Sequence, residues 1–153
     1  MARKLMKVEP IERGTVIDHI PGGMAFHVVS IIMSGRKMDK TITMAINVKS
    51  KDMGKKDIVK VEGLELKKSD VNKISIIAPD ATINIIRDGE VVEKRTVNVP
   101  KKVTGILKCT NPNCVTNQRE PVEREFVLTS RSPITYQCVY CEREVENILD
   151  SLV

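Results

Sequence analysis

Four cysteines decide what the C-terminal third of this chain can fold into. They stand in CTNPNC and CVYC, which places Cys109, Cys114, Cys138 and Cys141 in two close pairs separated by 23 residues. Each pair brackets a turn, so two thiolates converge on one point, and two such turns complete a tetrahedron around one metal ion. Four sulfur ligands leave no vacant position for a catalytic water, so the site is structural. Zinc is the expected ion, one per chain, although iron accepts the same ligands. Two disulfides or four buried thiols are the competing readings. No apolar run behind a charged start marks a secretory signal, and no apolar stretch is long enough to span a membrane. A cytoplasmic location is therefore expected, and it would keep the thiols reduced.

The segment that carries these cysteines, residues 101–153, holds few large apolar side chains. Short strands are predicted around 103–108, 123–129 and 134–138. A unit of this size needs a staple to remain folded, which the metal supplies. VPKKVTG at 99–105, with Pro100 and Gly105 between apolar runs, reads as the hinge that precedes it.

Residues 1–100 alternate strand and helix. GTVIDHI at 14–20 is an apolar strand, and Ala25, Val28, Val29 and Ile32 then recur at helical spacing. TITMAINV at 41–48 turns Ile42, Met44, Ile46 and Val48 inward, and DIVKVE at 57–62 follows the Gly54 turn. SDVNKISIIAP supplies Ser69 as an N-cap, Asp70 in the first turn, an apolar stripe of Val71, Ile74 and Ile77, and Pro79 as a stop. Two strands then flank Asp88-Gly89, a pair suited to a two-residue hairpin. The order β-α-β-β-α-β with a hairpin partner predicts an α+β fold: a ferredoxin-like domain, with an antiparallel sheet and both helices on one face, followed by the small β-rich zinc domain with its four cysteines.

Charge separates the two pieces. Residues 1–100 carry 18 Lys and Arg against 13 Asp and Glu, whereas residues 101–153 carry 7 of each, so the whole excess of +5 lies in the first piece. An anionic partner is expected there. A nucleic-acid module would show exposed aromatic rings and a basic metal domain, but aromatics are 3% of the chain and the metal domain is neutral before four thiolates are added. A phosphate-handling enzyme would need an Arg beside the Gly22-Gly23 loop, and none accompanies it. Neither a nucleic-acid nor a membrane partner is expected. His27 falls off the apolar stripe of its helix and reads as solvated or structural. Met33, Met38 and Met44 read as gap-fillers.

Asp18 and His19 are adjacent in the first strand, where neighbouring side chains point to opposite faces, so the carboxylate cannot orient the imidazole as in a catalytic triad.

GTVIDHIP, MGKKDIVKVE, APDATIN followed by VVEK, and CTNPNC…CVYCE resemble, in that order, the regulatory chains of aspartate carbamoyltransferase. The resemblance implies a non-catalytic subunit of pyrimidine biosynthesis, with a nucleotide-binding domain over 1–100 and a zinc domain over 101–153 that docks on a separate catalytic chain. It implies CTP, ATP and, in some members, UTP as effectors. It also implies regulatory homodimers within a dodecamer of two catalytic trimers and three regulatory dimers. By position it gives Asp18 a contact to the ribose, His19 one to the phosphate and ribose, Lys94 one to the triphosphate, and Lys60 one to the base and ribose. The base would lie against Val8, Glu9, Ile11, Val16, Ile86 and Val91 with Asn84 nearby. Pro10 and Gly89 depart from the best-known members, which carry an aromatic residue in place of Gly89. The segment Tyr140–Arg143 becomes the expected docking surface.

Overall fold

The computed structural model describes residues 12–37, 39–119, 122–145 and 147–152. Val8, Glu9, Pro10, Ile11 and Met38 lie outside the described residues. The first sheet is antiparallel, built from β1 (Gly14–Pro21), β2 (Ile42–Ser50), β3 (Gly54–Glu62), β4 (Thr82–Arg87) and β5 (Glu90–Thr96) in the order β2-β3-β1-β4-β5. Helices α1 (Ala25–Met33) and α2 (Lys68–Ile77) form the two crossovers and pack against each other. This is the ferredoxin-like arrangement, extended by β5 beyond β4.

The strand period of two separates the faces. Ile17, Val59, Val61, Ile83 and Ile85 join Val28, Ile32, Ile74 and Ile77 in a buried core beneath the helices. Val16, Lys60, Asn84 and Lys94 consequently point to the other face.

Three expectations for this piece are corrected. Met44 and Ile46 are 37% and 38% exposed. They lie on an edge strand whose pairing with β3 shifts register between Ala45 and Val48, with Asn47 at φ 58°, so the regular inward alternation stops there. Met33 is likewise at the surface, not filling a gap. Helix α2 starts before Ser69: Lys67 holds the cap position and its N–H donates to the Asp70 carboxylate at 3.1 Å. Asp70 also pairs with Arg36 at 2.5 Å, which ties the loop after α1 to the start of α2.

The second sheet is β6 (Lys102–Thr104), β7 (Glu125–Arg131), β8 (Ile134–Cys138) and β9 (Glu144–Val145), antiparallel and in sequence order. β6 ends at Thr104 instead of continuing to 108. Gly105 turns at φ 73°, and Leu107 then bridges to Leu152. A one-turn helix, α3 (Ile148–Ser151), follows β9. The core of this unit contains Val103, Leu107, Phe126, Tyr136 and Val145 with three of the cysteines.

The predicted hinge is partly built into this second unit, because Val99 and Val103 are buried in its core. The fully buried Tyr136 donates its hydroxyl to the Pro100 carbonyl at 2.6 Å, and burial pushes its phenol up to about 12. Ile76 of α2 enters the second core, while Ile148, Leu149 and Leu152 pack back against the first.

Candidate functional sites

On the face of the first sheet opposite the helices, the register aligns Lys60 of β3 with Val16 of β1, Val16 with Asn84 of β4, and Asn84 with Lys94 of β5. This lateral row forms the floor of a cavity of about 300 Å³. Ile86, Gly89 and Val91 line one end, and Asp18, His19 and Thr82 the other. Eight positions singled out from the sequence, Val16, Asp18, His19, Lys60, Asn84, Ile86, Val91 and Lys94, thus surround one space. The side-chain amide of Asn84 donates to the Val16 carbonyl at 3.4 Å.

Asp18 and His19 reach the same cavity because β1 is not regular at this point. Its pairing with β3 shifts register between Ile17 and Ile20, and His19 takes φ 57°. The bulge cancels the alternation that would have sent the two side chains to opposite faces. Asp18 then accepts the His19 backbone N–H at 2.6 Å, and the His19 ring meets the Thr82 hydroxyl at 3.0 Å through Nδ1. Lys56 pairs with Asp18 at 3.0 Å. The site therefore combines an apolar wall, a carboxylate, an imidazole and lysines from two strands, β3 and β5, a set suited to an elongated anionic ligand with one flat apolar part.

Lys56 and Thr82 were missed from the sequence. Thr82 was recoverable, since it stands two residues before Asn84 on one strand and must share its face. Lys56 stands four residues before Lys60 on β3 and its face was recoverable in the same way, but its pairing with Asp18, 38 residues away, was not. His27 is exposed on α1, as its place off the stripe suggested. Arg36 in the loop after α1 is committed to the Ile32 carbonyl and Asp70.

The second site is the cysteine cluster. The four Sγ atoms all lie within 4.8 Å of one another, with Cys109 and Cys141 at 3.4 Å and Cys114 and Cys138 at 3.7 Å. These separations exceed a disulfide bond of about 2.05 Å. They approach the edge of about 3.8 Å expected of a tetrahedron with metal–sulfur bonds of about 2.3 Å. The donor set fits a closed tetrathiolate metal centre, with Cys109, Cys114, Cys138 and Cys141 as its ligands.

The first turn is held by its own polar groups. Asn111 Oδ1 accepts the Asn113 N–H at 3.0 Å, and Asn117 Nδ2 donates to the carbonyls of Cys109 and Asn111 at 2.9 and 2.7 Å. In the second turn Glu142 adopts φ 63° and donates its N–H to the Cys138 carbonyl at 3.0 Å. Burial pushes the thiol of Cys109 up to about 12 and raises that of Cys138. Burial acts on Cys114 in the same direction, but hydrogen bonds from the Thr116 hydroxyl, at 3.2 Å, and the Thr116 backbone prevail and bring it to about 7. Cys114 is thus the ready thiolate, and the metal must displace the protons of Cys109 and Cys138, so loading weakens as pH falls.

Thr116→Val removes the hydroxyl that steadies this thiolate while preserving side-chain shape. Metal affinity, measured by competition with a chelator, is expected to fall about 10–100-fold, with the loaded protein's circular dichroism unchanged. An unaltered affinity would show that the hydroxyl has no influence on the metal.

Two family models match the chain in succession. The model for the aspartate carbamoyltransferase regulatory chain, allosteric domain, covers residues 6–98, and that for its metal binding domain covers residues 101–148. Among curated proteins, an aspartate carbamoyltransferase regulatory chain of Methanococcus maripaludis is 50% identical over 149 residues, spanning 97% of this chain and 99% of that one. One from Thermococcus sibiricus is 52% identical over 143 residues, covering 94% and 93%. One from Korarchaeum cryptofilum is 52% identical over 148 residues, covering 95% and 94%. All three are named as regulatory chains, which makes this a non-catalytic subunit and implies a catalytic chain as its partner. The chain, an antiparallel sheet domain followed by a four-cysteine unit, therefore belongs to the aspartate carbamoyltransferase regulatory chain family.

Proposed function

We propose that this chain senses nucleotides for a separate catalytic chain, binding CTP and ATP, and UTP in the same manner, in the cavity of the first sheet. The observation that carries the reading is the row Lys60–Val16–Asn84–Lys94, which presents a cation at each end of one apolar and amide floor. Lys60 and Lys94 are separated by three strand intervals, about 14 Å, so the base and phosphate ends of one ligand meet different lysines. Asp18 and His19 take the ribose and its first phosphate. Val8, Glu9 and Ile11 would complete the base pocket. Gly89, at φ 76° with no atom within 4 Å of where a Cβ would stand, leaves that end without a side-chain wall. Strand amides and carbonyls then carry base selection.

Residues 1–100 form the effector domain and 101–153 the docking domain. Zinc is the metal, because a closed tetrahedral tetrathiolate suits an ion with no geometric demand of its own. The reduced cysteines agree with a cytoplasmic location. Val139 and Tyr140 are 37% and 44% exposed on the second turn and supply an apolar contact for the catalytic chain, with Glu142 and Arg143 beside them. Met44 and Ile46 on the β2 edge, with Phe26 and Met33 exposed on α1, offer a surface for a second copy. Pairing through this edge would give the dimers from which two catalytic trimers and three regulatory dimers assemble. A nucleic-acid role finds no support on the cavity face, where Val16, Lys60, Thr82, Asn84 and Lys94 include no aromatic ring.

Reconstitution with the catalytic chain tests the whole reading. CTP or ATP is expected to shift the aspartate saturation curve of the assembled enzyme by about 5–150-fold in effective affinity at most, the range of ordinary coupling energies, and to leave isolated catalytic chains unaffected. An assembly that forms but responds to no nucleotide would overturn it.

A further inference from the structure

Asp57 is completely buried, yet it belongs to neither site. It stands on β3 next to Lys56, and the strand period sends the two side chains to opposite faces. Lys56 reaches Asp18 beside the cavity. Asp57 turns toward the helices, where its two oxygens serve different segments. Oδ2 accepts the N–H groups of Gly23 at 2.8 Å and Ala25 at 2.9 Å, which belong to the turn that follows the Asp18–His19 bulge and to the first residue of α1. Oδ1 accepts the N–H of Asn47 at 2.8 Å, in the bulge of β2.

Both bulges flank β3 at one level. Ile20 and Pro21 pair with Asp57 and Lys56 on one side, and Val48 pairs with Lys56 on the other. His19 and Asn47 adopt nearly the same left-handed φ, 57° and 58°. The two segments also touch directly, since a Cβ on Gly22 would lie 2.8 Å from Asn47 Oδ1. A movement of the β1–α1 turn therefore cannot occur without either stretching a charge-assisted hydrogen bond in a dry site or carrying the β2 bulge with it.

We propose that Asp57 is a positioning residue that ties the β1–α1 turn, which follows directly on the Asp18–His19 bulge, to the β2 edge, so that a ligand engaging the bulge shifts that edge. The functional half of this inference rests on the effector reading of the cavity; the mechanical half is a property of the chain alone. Asp57→Asn is nearly isosteric but replaces one acceptor oxygen with a donor, and Asp57→Ser keeps one smaller acceptor should the first variant fold poorly.

The test is amide-resolved hydrogen exchange on the metal-loaded full chain. Asp18→Asn, which weakens the pairing with Lys56, is expected to speed exchange at the Asn47 amide by about threefold or more, and to add nothing in an Asp57 variant background. CTP is expected to slow the same amide in the natural chain and to leave it unchanged in the Asp57 variant. Independent, multiplicative effects of the two substitutions, or silence at Asn47 in Asp18→Asn, would overturn the tie. Absence of CTP binding to the natural chain would instead remove the effector reading, with the substitution cycle still deciding the role of Asp57.

Discussion

Chelating the metal from the cysteine cluster is expected to abolish the tyrosine signal of this chain while most of its far-ultraviolet ellipticity remains. Both tyrosines, Tyr136 and Tyr140, lie in the second unit, and there is no tryptophan, so near-ultraviolet tyrosine dichroism reports on that unit alone. Its core is small, and Cys109, Cys114 and Cys138 are members of it. A structural zinc site is worth about 10–16 kcal/mol, as much as the entire stability of an ordinary domain, which β6 to β9 cannot replace from Phe126, Tyr136 and a few aliphatic residues. The first sheet has a separate core of Ile17, Val28, Ile32, Val59, Ile74 and Ile83 and should persist. It would persist at a lower melting temperature, because the packing of Ile148, Leu149 and Leu152 against it would be lost. Retained tyrosine dichroism after complete removal of the metal would show that the cluster is not the staple. Simultaneous loss of both sheets would show that they fold as one unit.

The second large effect concerns the cavity. Lys94→Ala removes the cation at the β5 end of the row and should weaken CTP binding by about 10–150-fold, the loss of one charge-assisted contact worth about 1.5–3 kcal/mol. Lys94 is exposed at the cavity rim, so stability should change little. Calorimetric titration of the zinc-loaded chain at fixed salt measures the effect, with cytidine as a control. Cytidine lacks phosphates, so its weaker binding should be equal in the two proteins. If CTP loses nothing in the variant, the phosphates do not lie at that end. If cytidine loses as much as CTP, Lys94 acts on the shape of the pocket instead of on charge.

What could be read from the sequence depended on how far apart the cooperating residues are. The cysteine turns were legible because each pair is local, and four soft ligands in two turns have few other uses. The strand–helix order was legible from periodicity, whereas Val16, Asn84 and Ile86 came from the family resemblance, with which the register of β1 and β4 agrees. The bulges were not legible. His19 and Asn47 take a left-handed conformation without glycine where their strands shift register against β3, and the Asn47 N–H is held by the carboxylate of Asp57, contacts that leave no local mark in the chain. The same blindness put Asp18 and His19 on opposite faces by alternation, although the family resemblance brought both to one ligand, and it assigned Met44 and Ile46 to the core although they occupy an edge strand. The start of α2 was misread for a related reason: Asp70 turns back to Lys67 and across to Arg36, and the distant arginine leaves no local mark.

Helix α2 has a consequence for how such chains can be recombined. Ile74 and Ile77 belong to the core of the first sheet, whereas Ile76, on the same short helix, fills a place in the core of the second. The helix is a party wall, and its two sides cannot be redesigned separately. A chimaera joined at the linker would inherit Ile76 from one parent and the surface formed by Val99, Leu107 and Tyr136 partly from the other, leaving a void or a clash at the seam. A workable exchange of the metal-bearing part therefore has to carry position 76 with it, far upstream of the junction.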